Sequence, residues 1–132
     1  MSHRNLLAAL FGVSFLMSAT LAIAADIVAG EKVFRKCKVC HTLEAGGKRK
    51  IGPNLFGIMG RTSGTAEGFK YSKAMAAAGI TWDVDTLTQY LTKPKEFIPG
   101  NKMAFPGLKK PEQIENVKQP IMLRKLSQGL RL

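Results

Sequence analysis

Cys37-Lys38-Val39-Cys40-His41 holds both cysteines of the chain, three residues apart, with an imidazole immediately after the second. Three familiar uses of paired thiols fit it poorly. A disulfide across so short a loop removes little chain entropy and leaves His41 without a purpose. A closed structural zinc site takes about four protein ligands. Beyond Cys37, Cys40 and His41 the sequence offers only His3, at the extreme N-terminus. A dithiol redox site belongs at the end of a strand in a strand-helix-strand setting, and no stretch here alternates with strand period for long.

The remaining chemistry uses every position. Two thiols add to the two vinyl groups of a haem, and the adjacent histidine falls under the iron as an axial ligand. The rest of the chain is organised as though something other than side chains filled its centre. Ile27, Val28, Val33 and Phe34 recur near helical spacing, with Asp26 placed to cap the start, and this helix runs into the cysteines. From Glu44 to Gly68 the sequence is rich in glycine and has no periodicity. Tyr71 to Ala78 reads as a short helix stopped by Gly79, and a third helix starts at Asp83 or Asp85 and ends near Pro94. An apolar loop with two prolines and two glycines follows from Phe97 to Gly107, and Pro111 opens a last helix. Short helices and long loops bury little surface, so a flat apolar macrocycle supplies the missing core.

The sixth position on such an iron is open to methionine, lysine, water or nothing. Met103 stands between Pro99-Gly100 and Pro106-Gly107, which can hold a thioether at a fixed place. A methionine is more often a core gap-filler, and it is the pairing with the cysteine motif that favours the ligand role.

Two further features bound the setting. Met1 to Asn5 is a short basic head before an apolar run from Leu6 to Ala25, with Ala22-Ile23-Ala24 as a cleavage site. Residues 1–25 therefore read as a secretory signal, with an uncleaved membrane anchor as the alternative. The chain is 132 residues with a net charge of +11, enough for one domain whose surface favours anionic partners. No nucleic-acid motif accompanies that charge.

Taken together the residues resemble the class I cytochromes c, in the branch of the mitochondrial protein and its short bacterial relatives. The likeness runs from about Asp26 to Val117 without a gap. It is carried by Gly30 and Phe34 on the first helix, the cysteine motif, Gly52-Pro53-Asn54-Leu55, Arg61, Tyr71, Trp82, Tyr90 and Ile98-Pro99-Gly100-Asn101-Lys102-Met103. The resemblance implies an all-α fold of short helices and long loops wrapped around one haem c, bound through Cys37 and Cys40. It implies His41 and Met103 as iron ligands, with the Pro53 carbonyl accepting a hydrogen bond from the histidine. Arg61, Tyr71 and Trp82 would contact the haem propionates, and Tyr90 would pack beside Met103. The function implied is one-electron transport, with no catalysis, by a monomer in the periplasm. Lys36, Lys48, Lys50, Lys95, Lys102, Lys109 and Lys110 are candidates for a ring that docks on acidic faces of a quinol-cytochrome c reductase and a terminal oxidase or similar redox protein. The alternative is a peroxidase-like or ligand-binding protein, which follows if Met103 leaves the iron.

The sequence departs from the pattern in three places. Met75 stands where relatives carry a polar residue near the propionates, and Asn101 where they often carry threonine. After Val117 the likeness stops, and Pro120 is expected to break or kink the last helix at a cost of about 3 kcal/mol. Residues 118–132 then form an atypical basic tail: either a membrane-surface or partner element built on Leu123, Leu126 and Leu130, or the product of a shifted reading frame.

Overall fold

The computed structural model describes residues 27–129, so the expectations for the signal and for Asp26 fall outside it. Helix α1 spans residues 27–38 and is followed by a long irregular stretch. Then come α2 (Lys73–Ala77), α3 (Val84–Thr92), α4 (Pro94–Phe97) and α5 (Pro111–Gly129). Among the described residues no strand forms, only an isolated bridge between Thr62 and Thr81.

The caps explain the short helices. Ser72, in extended backbone, accepts from the Met75 N–H through its hydroxyl and starts α2 two residues later than the alanine-rich run suggests. Gly79 (φ +62°) lies just beyond its end. Helix α3 opens on a reciprocal box: Asp83 Oδ1 accepts from the Thr86 N–H at 2.8 Å, and Thr86 Oγ1 accepts from the Asp83 N–H at 2.9 Å. It ends because Pro94 excludes helical geometry from Lys93 (φ −147°, ψ 76°). Pro94 then serves as the first residue of α4, a turn that periodicity had not separated from the loop after it.

The Asp83 carboxyl is held below its usual range, first by the Thr86 N–H and then by the Thr86 hydroxyl. Its contribution is present above the ordinary carboxylate pKa and is lost as pH falls through the lowered value. Asp83→Asn keeps the acceptor without the charge. Melting curves at pH 5 and pH 3 are expected to show a smaller acid loss for the variant than for the parent, and equal losses would rule out this role.

The α1–α5 crossing corrects one expectation. Pro120 does not break the last helix, which runs unbroken from Pro111 to Gly129. Pro120 removes the N–H that would bond the Asn116 carbonyl. That carbonyl is covered by α1 instead: a Cβ built on Gly30 would lie 2.2 Å from Asn116 O and 2.7 Å from Pro120 Cδ. The orphaned acceptor therefore sits against the Gly30 backbone, where a Cα–H can approach it, and the proline ring is buried in the seam. Phe34, Ile114, Val117 and Ile121 complete this part of the core.

The polar residues after Val117 are also accommodated. Lys118 is 3% exposed, and its Nζ donates to Thr88 Oγ1 at 2.9 Å and to Glu115 Oε1 at 2.8 Å, tying α5 to α3. Arg124 reaches Glu31 on α1 at 3.5 Å. Two cations of the basic run thus face acids of the folded domain.

Candidate functional site

At the end of α1 the Cys40 and His41 N–H groups both donate to the Cys37 carbonyl, at 3.0 and 2.8 Å, and this turn gathers the two thiols and the imidazole. Both cysteines are free and half-buried. Burial pushes the Cys37 thiol up to about 11, with Cys40 adding to the rise and Lys36 opposing it. It is therefore protonated at neutral pH. Among the described residues no group of three or more His, Cys, Asp or Glu side chains could hold a metal ion.

His41 is fixed by its neighbours. Its Nδ1 lies 2.8 Å from the Pro53 carbonyl oxygen. A carbonyl only accepts, so Nδ1 carries the proton and Nε2 the lone pair. Burial lowers the His41 pKa, with the Pro53 bond opposing, which favours the neutral, metal-binding form. The ring lies against Gly52, where a Cβ would come within 2.4 Å of Cε1. The segment carrying Pro53 is clipped to the cysteine loop by Gly52 N–H to Cys40 O at 2.8 Å and Leu55 N–H to Thr42 O at 2.9 Å. Asn54 braces it further: its Nδ2 donates to the Glu44 and Gly47 carbonyls, and its Oδ1 accepts from the Phe56 N–H.

A second group forms around Trp82 and Tyr90. Arg61 donates to the Phe56 and Asn54 carbonyls, at 3.3 and 3.1 Å, and its backbone carbonyl accepts from the Trp82 N–H at 3.0 Å. Trp82 packs on Tyr90 with ring centroids 5.0 Å apart and the ring planes inclined at 55°. Tyr71 meets Phe69 edge-on at 4.8 Å, and burial raises its phenol pKa while Arg61 opposes the rise. The Tyr90 hydroxyl donates to Met103 Sδ at 3.7 Å, and burial, with Tyr71 beside it, pushes that phenol up to about 12. Tyr90 thus stays a donor across the physiological range.

The methionine loop is held by a residue whose part the sequence did not reveal. Asn101 is 3% exposed. Its Nδ2 donates to the Pro94 and Ile98 carbonyls, at 2.7 and 2.8 Å, and its Oδ1 accepts from the Met103 N–H at 3.0 Å. Lys95 Nζ donates to its backbone carbonyl. The loop's far end is fastened by the Leu108 N–H to the Leu91 carbonyl at 2.8 Å.

No side-chain hydrogen bond among those described joins the His41 group to the Met103 group. Cys37 and Met103 each pack, half-buried, against the hydrophobic core, as do Leu55, Met59, Tyr71, Ile80 and Phe105. Two free thiols, one imidazole nitrogen with a lone pair and one thioether fit a covalently attached haem. The seven lysines named above are all exposed.

The family model described as cytochrome c matches residues 27–119. Cytochrome c of Chlamydomonas reinhardtii is 57% identical over 93 residues, covering 70% of this chain and 83% of the relative. Cytochrome c2 of Blastochloris viridis is 45% identical over 109 residues, covering 81% and 85%. Among solved structures, cytochrome cH from Methylobacterium extorquens is similar with a TM-score of 0.69 and 39% identity, over 74% of this chain and 97% of that one.

Proposed function

The chain belongs to the cytochrome c family, electron carriers with a covalent c-type haem, and on that premise we propose that it is a one-electron carrier with a six-coordinate, His41/Met103-ligated iron. The observation that carries the ligand assignment is the His41 Nδ1 to Pro53 O bond, which assigns the tautomer and turns Nε2 into the free donor atom. Cys37 and Cys40 would hold the macrocycle. The haem supplies the redox-active iron, and a soft thioether in its coordination sphere favours the ferrous state.

The chain's own residues do the rest. Pro53 and Gly52 fix the imidazole plane, and Asn54 and the backbone clips keep that support rigid. Tyr90 holds the thioether from one side, and Asn101 holds the Met103 backbone. A ligand set braced in this way changes little between two oxidation states, so an electron can enter and leave without rearrangement of the fold. The same bracing favours a closed iron over the ligand-binding alternative.

The exposed lysines support a second proposal, that the partners present acidic faces, as a quinol-cytochrome c reductase and a terminal oxidase would, and meet this protein in fast, salt-sensitive encounters. The compartment is the periplasm and the carrier a monomer. Among the described residues no helix is long and apolar enough to cross a membrane.

A visible spectrum tests the assignment. Exported in a host with haem-attachment machinery, the protein is expected to retain haem through acid-acetone extraction, and its oxidised form is expected to show the weak far-red band of methionine sulfur on ferric iron. Haem lost to the extract would overturn the attachment. Retained haem without the band would overturn the Met103 assignment.

A further inference from the structure

The Asn101 side chain is used in a way that a hydroxyl side chain such as threonine's cannot reproduce. A threonine hydroxyl has one proton to donate, whereas the asparagine amide has two N–H donors and an oxygen acceptor. All three are engaged inside a ten-residue segment, on the Pro94 carbonyl at the start of α4, the Ile98 carbonyl just past its end, and the Met103 N–H. The amide is buried, and no buried side-chain polar atom among those described lacks a partner.

We propose that Asn101 is the positioning residue for the Met103 thioether, a clamp that references the methionine backbone to α4. The inference rests on the reading of Met103 as the sixth ligand. Helix α4 follows directly on α3, and α3 carries Tyr90, whose hydroxyl meets the sulfur. Met103 is thereby held at both ends, its N–H by Asn101 and its Sδ by Tyr90. With one end released, the short loop can swing while the rest of the fold stands. The clamp sets how much of the ferric protein keeps sulfur on iron and how readily an outside ligand displaces it.

The test compares the haem-loaded parent with Asn101→Leu, Asn101→Asp and the milder Asn101→Ser. Thr88→Ala serves as a control, because it cuts the Lys118 link and destabilises the fold far from the loop. Each is read by the far-red sulfur band, by imidazole affinity for the ferric form, and by thermal melting. Asn101→Leu and Asn101→Asp are expected to lose most of the band and to bind imidazole about tenfold or more tighter, since each removes at least the two hydrogen bonds that tie the loop to α4. Asn101→Ser is expected to fall between them and the parent, and Thr88→Ala to melt lower with its band intact.

If the Asn101 variants melt lower yet keep both the band and the parent's imidazole affinity, Asn101 is merely structural and the proposal is wrong. If Leu and Asp yield no holoprotein, Asn101→Ser decides between the same two results. A parent without the band overturns the ligand assignment itself, before any variant is compared.

Discussion

Met103→Ala is expected to turn a closed iron into an open one, with no comparable loss of haem. The far-red band should vanish, the midpoint potential should fall, and imidazole or cyanide should bind the ferric protein about a hundredfold or more tighter. The reasoning is competition. A ligand carried on the same chain acts at a high effective concentration, and an outside ligand must displace it before it can bind. On the proposed ligation the internal ligand is Met103, which is held by Tyr90 at its sulfur and by Asn101 at its amide, so its advantage exceeds that of a freely hanging side chain. Parent and variant titrated side by side settle it: equal affinities would mean that Met103 never occupied the site.

The largest effect on stability is expected at Gly30. An added methyl would sit 2.2 Å from the Asn116 carbonyl oxygen and 2.7 Å from Pro120 Cδ. Neither is the far end of a flexible side chain, so α1 and α5 must move apart, and they carry Phe34 and Val117, among the most buried side chains described. Overpacking of this kind costs about 1 to 3 kcal/mol and more where backbone opposes backbone. Gly30→Ala is therefore expected to melt about 10 to 20 °C below the parent. Gly57→Ala is the informative contrast. Nothing lies within 4 Å of its added methyl and only a positive φ of 64° resists it, so its cost should stay near 1 to 2 kcal/mol. If Gly30→Ala melts with the parent, the helix crossing described above is wrong.

The contrast between those glycines shows what could be read in the sequence and what could not. The cysteine motif was legible because its chemistry is local: five consecutive residues supply two thiols and an imidazole. The start of α3 was legible only as Asp83 or Asp85, and the reciprocal box between Asp83 and Thr86 selects the first. The passage of α5 through Pro120 was not. The penalty sits at residue 120, and the backbone that covers the freed carbonyl sits at residue 30. Lys118 reads as a surface charge until Thr88, thirty positions earlier, is placed beside it. Asn101 was noticed as a departure, but its three partners are fixed only when α4 forms as a separate turn, and Pro94 hides that turn from any periodicity argument. The His41 to Pro53 contact was expected from resemblance, and in the fold the two atoms lie 2.8 Å apart.

The clip between the cysteine loop and the Pro53 segment bears on how the chain assembles. His41 and its carbonyl partner are twelve positions apart, whereas Met103 is roughly sixty positions from His41, so closing the second loop costs about 1.4 kcal/mol more entropy than closing the first. Contacts of short sequence separation form early and distant ones late. The histidine side can therefore organise while the cysteines are being loaded, ahead of the methionine side. On the proposed ligation, a chain interrupted between the two would be coloured and tethered, with its iron still open to solvent.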